Sequence, residues 1–410
     1  MSQQLDFDEA WFIQLKKADI ATLDGWQQFV ADRNAYTPPP VFSRVDYQTL
    51  PTRDRGRYDL ARRMANINLP KHETPMTARV RADIEPTLHA NAFSIDPGPR
   101  TGVFISADGG LGKSTLVREI AADFDVEVRA LQDLAPGLFP HNDRWVPVAW
   151  VTVPPKLSMR SLALAILNFY GAPHRKSDSD SALTQRVEDT LRDCGTRLLV
   201  LDDITRYKDN DPDRYAADWI RNLMETSVSM IAMGVDVQGS GILYDGKTNR
   251  EQRLRTQTAR RYTVLTMDAF AYDEPADIRA WVRHLRALED DLYLLDKTSG
   301  MLSDNLADYL WHHTQGVIGV LQKWVSVTAM KAVGRADTHG GEFLTQDDFD
   351  KTPVPSIASL KNDVDPLSPP PTPATKRTST KRTTARGATP NRRRNRMYDQ
   401  PPTKRGGDAA

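Results

Sequence analysis

Between about residues 77 and 270, short apolar or β-branched runs alternate with longer amphipathic ones. The runs fall at 103–107, 146–153, 198–201, 230–234 and 262–265. Between them, 114–124, 158–170, 182–193 and 213–226 carry apolar residues at helical spacing. This alternation predicts an α/β fold, a parallel sheet sandwiched between helices as the middle of three layers. The runs are mostly continuous rather than alternating, as burial on both faces requires. Strand signals are missing on either side. Residues 1–75 read as a polar helical extension packed on the core, with amphipathic stretches at 7–17 and 53–67 and a proline break at 36–40. Residues 271–363 read as a small helical domain, with helices at 274–289, 304–314 and 317–333. The core then spans 76–270 and a tail spans 364–410. That tail is rich in Pro, Thr and basic residues and poor in apolar ones, so it is expected to be disordered.

Composition sharpens the outline. A chain of 410 residues suits two or three domains, and 40% hydrophobic content is enough for a core. The single cysteine, Cys194, excludes an internal disulfide framework and a cysteine-rich zinc site. No run of 18 apolar residues exists, and the acidic start MSQQLDFDEAWF lacks the basic and apolar regions of a signal peptide. A cytoplasmic protein with no membrane contact is the expectation. The net charge of zero conceals a division: 366–410 holds eleven Lys and Arg against two Asp, a net of +9, which leaves the body at −9. Such asymmetry suggests an interaction tail.

The sharpest chemical signal is Ala107-Asp108-Gly109-Gly110-Leu111-Gly112-Lys113-Ser114-Thr115. It is a P-loop with Ala107 in place of the first glycine, and a strand precedes it while a helix follows. Glycines let the backbone form a nest of N–H groups around phosphates, and the helix aims its positive end at the same anion. Lys113 is expected to reach the β- and γ-phosphates of ATP, and the Ser114 hydroxyl to ligate Mg²⁺. About ninety residues on, the apolar strand Leu198-Leu199-Val200-Leu201 ends in Asp202 and Asp203. Asp202 fits a Walker B acid that holds the Mg²⁺ through water, and Asp203 a group that orients or deprotonates the attacking water. Many ATPases carry Glu at the second position. Asp203 is one methylene shorter, which points to slow or partner-stimulated ATP hydrolysis.

The order of these features resembles an AAA+ ATPase, and in particular the transposition ATPases of the TniB/TnsC type, over about residues 59–350. Further residues carry the resemblance. Val151-Thr152-Val153-Pro154-Pro155 leads into Lys156 and a helix that ends in Gly171-Ala172-Pro173. Met230-Ile231-Ala232-Met233-Gly234-Val235-Asp236 is similar to a sensor 1 strand. Gln257-Thr258-Ala259-Arg260-Arg261-Tyr262 is similar to the segment that bears the arginine finger. His313-Thr314-Gln315-Gly316-Val317-Ile318-Gly319 opens a lid helix. Two positions depart from the pattern. The sensor 1 tip offers only Asp236 as a polar group, and Gly316-Val317-Ile318-Gly319 lacks the arginine that many AAA+ lids use as sensor 2.

The resemblance implies an ATP- and Mg²⁺-binding homo-oligomer, a ring or helical filament, that sits on DNA and recruits or activates a transposase for target-site selection. It makes Arg260 and Arg261 candidate fingers acting on the neighbouring subunit's γ-phosphate; the plain alternative is a surface pair bonded to nearby carboxylates. It also points Lys156, Ser158 and Arg160 at the DNA backbone, against the alternative of a solvated loop before a helix. Such contacts do not depend on base identity and weaken with salt. The tail clusters Lys376-Arg377, Lys381-Arg382 and Arg392-Arg393-Arg394 suit DNA, or an acidic surface on a partner. Two other readings stay open: a nucleotide-dependent signalling switch, and an AAA+ loader or chaperone acting on a protein without DNA. The eight histidines show no metal-ligand spacing, and the eight tryptophans are dispersed as core packing would have them.

Overall fold

The structure is a computed structural model that describes residues 11–12, 17–96, 98–135, 145–155, 157–175, 177–204, 219–220, 222–223, 226–239, 262–335 and 341–354. Chain contacts group Met1–Ser368 as one compact unit and Pro369–Ala410 as another, and every described residue lies in the first. The expected helices at 7–17 and 213–226 fall mostly outside the described residues, though 219–220 and 222–223 are helical, and the tail lies wholly outside them.

Among the described residues five strands form one parallel sheet: β1 Gly102–Ala107, β2 Val148–Thr152, β3 Leu198–Asp202, β4 Ser229–Gly234 and β5 Tyr262–Met267. Their order is β2-β3-β4-β1-β5. Ile105 of β1 pairs with Met233 of β4, and Leu201 of β3 with Ala232 of β4, so β4 separates the P-loop strand from the acid-bearing strand. Every residue of β4, and all but the last of β2 and β3, is buried. Successive side chains point to opposite faces, so both faces of the sheet are covered. The edge strand β5 is only partly buried and departs from the expected fully buried run.

Helix α1 (Leu23–Asp32) reaches the sheet core through Trp26, which stacks on Trp150 at 6.0 Å and donates to the buried Asp125 at 2.9 Å. Three helices complete the N-terminal side: α2 (Arg44–Thr49), α3 (Thr52–Ile67) and α4 (Pro75–Phe93). A reciprocal capping box between Thr74 and Thr77 starts α4, and Val80, Ile84 and Leu88 bury its inner face in the sheet core. The sequence pattern does not announce this helix, since Pro86 interrupts it.

Helix α5 (Lys113–Leu134) runs ten residues beyond the expected end at 124, because apolar side chains continue at helical spacing through Val128. Helices α6 (Met159–Phe169) and α7 (Asp180–Asp193) follow β2 and pack on each other.

After β5 come α8 (Pro275–Asp290), α9 (Ala307–Thr314), α10 (Ile318–Ala332) and α11 (Gln346–Asp350). They enclose a second apolar cluster around Trp281, Leu285, Leu321, Trp324 and Phe349. The extension departs from expectation here: α3 packs on the lid helix α10 rather than on the sheet. Arg62 of α3, 1% exposed, forms a bidentate ion pair with the fully buried Glu342 and a further bond to Asp59. Glu342 also accepts N–H bonds from Gly334 (2.7 Å) and Leu295 (3.1 Å).

Removing one partner of a buried pair strands the other charge and costs about 3–5 kcal/mol. Arg62→Ala is therefore expected to lower the unfolding free energy obtained from urea titration by about 3–5 kcal/mol, and the midpoint with it. A midpoint equal to the wild type's would show that the pair does not hold α3 to the lid.

Candidate nucleotide site

The loop between β1 and α5 turns on two left-handed glycines, Gly110 (φ 81°) and Gly112 (φ 85°), a conformation in which a side chain would be strained. Gly112 caps α5, so the first-turn amides of Lys113, Ser114 and Thr115 have no partner within the helix. These amides and the helix dipole face whatever occupies the loop, an arrangement suited to an anion. Lys113 is 8% exposed and lies at the head of the helix.

The Ser114 hydroxyl donates to an Asp202 carboxylate oxygen at 3.0 Å, joining the first turn of α5 to the tip of β3. Burial holds the Asp202 carboxyl above the usual carboxylate range, with Asp203 adding to that and the Ser114 bond and Lys113 opposing it. A buried carboxyl of this kind is stabilised in its charged form by a nearby cation. Asp203 follows with φ 62°, an uncommon backbone for a residue with a side chain and a local strain of the sort that collects at functional positions. The chain behind it is pinned, since Ile204 N–H donates to the Met233 carbonyl at 2.9 Å. Asp236, beyond the β4 tip, also has a positive φ of 46°, and its carboxylate accepts from Gly239 N–H at 3.0 Å.

Next to the loop lies a cavity of about 550 Å³. The core contributes Leu111, Thr115, Leu116 and Glu119 to its wall. The segment before α4 adds Lys71, His72 and Thr74, and the lid adds His284, Ile318, Gly319 and Gln322. Ile318 and Gly319 belong to the lid segment that the sequence singles out; Lys71, His72, Thr74, His284 and Gln322 belong to no sequence motif, and only their place in the fold brings them here. His284 is 6% exposed, and neither ring nitrogen has a hydrogen-bond partner. Burial, with a smaller contribution from His72, pushes its pKa down to about 4. His72 itself is bonded to Asp291.

The structure thus brings together the loop 107–115, Lys113, Ser114, Asp202 and Asp203. It engages the other expected residues elsewhere. Ser158 caps α6 in a reciprocal box with Ser161, and Arg160 donates to the Asp178 carbonyl (2.8 Å) and the Asp180 carboxylate (3.0 Å). Lys156, Arg260 and Arg261 lie outside the described residues.

Residues 91–262 match the family model described as bacterial TniB protein. Over this segment the chain is TniB-like. No curated protein matches the chain in sequence. Among solved structures, Cdc6p from Pyrobaculum aerophilum is 11% identical, with 69% of this chain and 68% of that one covered and a TM-score of 0.45. The Orc1 protein of Aeropyrum pernix in complex with DNA is 12% identical, with coverages of 73% and 69% and a TM-score of 0.48. The TniB-like segment holds the loop, Ser114, Asp202 and Asp203, and its architecture is a parallel α/β sheet with the glycine loop leading from β1 into α5. No described helix is long and apolar enough to cross a membrane.

Two measurements bear on this site. Lys113→Ala removes a charge-assisted phosphate contact and is expected to weaken ATP binding about hundredfold, the equivalent of about 3 kcal/mol. Calorimetry showing unchanged affinity would exclude the loop as the phosphate seat. For His284 the folded pKa lies below the unfolded value of about 6.5, so the native state binds fewer protons between the two. Stability should rise with pH through that window and fall by up to about 3 kcal/mol as the pH drops from about 6.5 to about 4. His284→Phe should flatten that part of the stability profile. A profile as steep as the wild type's would assign the effect to other groups.

Proposed function

We propose that this chain is an ATP-hydrolysing AAA+ regulator that oligomerises on DNA and recruits or activates a transposase for target-site selection. The observation that carries the reading is the Ser114–Asp202 bond inside the TniB-like segment, since it places the P-loop hydroxyl and the strand-end acid at one point. In this reading the 109–115 backbone binds the phosphates, Lys113 neutralises their charge, and the base and ribose enter the neighbouring cavity.

The donor set at that point, one hydroxyl and carboxylate oxygens, suits the hard cation Mg²⁺. Ser114 would hold it directly and Asp202 through water. When bound it supplies charge neutralisation between the β- and γ-phosphates. Asp203 orients the attacking water and takes up its proton. Arg260 or Arg261 completes the site of a neighbouring subunit, which requires a ring or filament. The domain assignment follows: extension 1–75, ATPase core 76–270, lid 271–363 and basic tail 364–410.

Residues 366–410 carry a net charge of +9, which accords with a DNA partner. The second reading, a nucleotide-dependent switch acting on protein without DNA, gains from one observation. Ser158 and Arg160 are already engaged within the chain, so a phosphate backbone would have to displace those bonds.

Phosphate release measured with and without duplex DNA at low salt separates the two. The transposition reading predicts DNA-stimulated hydrolysis that declines as salt rises, and a loss of about a hundredfold or more in kcat for Asp203→Asn. Hydrolysis indifferent to DNA at every salt concentration would leave the switch.

A further inference from the structure

A backbone hydrogen bond joins the lid to the P-loop. Gly319, the second residue of α10, donates its N–H to the Gly110 carbonyl at 2.8 Å. No side chain fits at this contact. A Cβ on Gly319 would lie 2.7 Å from the Gly110 oxygen and 3.2 Å from its Cα, and neither atom belongs to a side chain that could swing aside. The other glycine of this segment is equally constrained. Gly316 has φ 70°, its carbonyl accepts from Phe270 N–H at 3.0 Å, and a Cβ there would meet the Phe270 oxygen at 2.2 Å. The lid helix is thus seated between two backbone contacts, one at the junction with the sheet and one on the loop.

The peptide unit that accepts the bond also carries the Leu111 N–H. In a trans peptide the C=O and N–H point in opposite directions, and no peptide bond among the described residues is cis. With the Gly110 oxygen turned to the lid, the Leu111 N–H is turned away from it. Gly110 has no Cβ and sits at φ 81°, so its own side of this unit turns more freely than that of a residue with a side chain, while the buried Leu111 anchors the other. The bond from the lid restrains the Gly110 side.

We propose that Gly319 is a positioning residue of the nucleotide site, holding the Gly110–Leu111 peptide in the orientation in which the loop grips phosphate and so coupling lid position to nucleotide occupancy. This inference rests on the loop being the phosphate seat. The backbone approach leaves no room for a side chain at position 319, in the segment 316–319 that lacks an arginine, and the coupling runs through the peptide instead. An anion drawing on the Leu111 N–H polarises the same peptide and strengthens its carbonyl as an acceptor for Gly319. Nucleotide and lid then reinforce each other across one peptide plane.

The test uses the full chain and Gly319→Ala, followed by hydrogen exchange and ATP titration. In the wild type, exchange across residues 316–321 is expected to slow on addition of a slowly hydrolysed ATP analogue. Gly319→Ala is expected to stay folded without nucleotide, with a lowered melting temperature because its Cβ displaces the Gly110 carbonyl. It should bind ATP about tenfold more weakly and lose the exchange response of α10. A merely structural glycine would shift melting and leave the response intact. A variant that binds ATP like the wild type and still slows exchange in α10 overturns the proposal. If Gly319→Ala does not fold, the wild type decides alone: bound ATP with unchanged exchange at 316–321 overturns it, and slowed exchange supports it. A wild-type chain that binds no ATP overturns the phosphate-seat reading itself, which is a different outcome from either.

Discussion

Strand β4 stands between β1 and β3, and that placement sets the distances from which the site is built. Neighbouring strands lie about 4.8 Å apart, so the acid at the tip of β3 is roughly 10 Å from the end of β1. A side chain on β1 could not meet it. The first turn of α5 can, because the glycine loop carries the chain forward before the helix begins, and Ser114 there reaches Asp202 at 3.0 Å. The strand order, the two left-handed glycines and the continuous burial of β3 and β4 all serve this meeting. It has a cost: the Asp202 carboxyl is desolvated and held above its usual range. A site that carries such a cost is poised for a cation.

The second constraint is the seam between the two apolar clusters. One cluster is organised on the sheet and the other on Trp281, Trp324 and their neighbours in the lid. The cavity opens along the seam, walled by the loop, by the segment before α4 and by the lid. An occupant therefore touches all three, and its binding energy is shared between holding the ligand and holding the lid. Helix α3 and the segment after it belong to the lid side of this division, through the buried Arg62–Glu342 pair and the bond from Gln322 to the Leu69 carbonyl at 3.2 Å. Movement of α10 would carry α3 with it.

What the sequence disclosed follows from what each feature asks of local residues. A phosphate loop needs glycines and a lysine at fixed spacing, and a buried acid-tipped strand needs an apolar run ending in carboxylates, so both are written in consecutive letters. Helix α4 was not legible because Pro86 breaks its pattern and its start depends on a box of two threonines. The attachment of α3 to the lid was not legible because its determinants, Arg62 and Glu342, are 280 positions apart. The cavity wall draws single residues from three regions with no shared motif. The sequence marks the lid segment as the opening of a helix and as lacking an arginine, but its two glycines gain their meaning from backbone approaches that no one-dimensional pattern contains. Ser158 and Arg160 show the converse: residues chosen for an external role are bound within the chain, as a helix cap and an ion pair.

The central claim is that the loop after β1 and the acid after β3 form one triphosphate site. The most direct measurement is an experimental structure of the full chain with Mg²⁺ and a non-hydrolysable ATP analogue. The account predicts phosphate density enclosed by the 109–115 backbone, a magnesium ion about 2.1 Å from the Ser114 oxygen, and the base in the cavity beside Leu116. Nucleotide bound anywhere else, or an empty loop at saturating analogue, would contradict it.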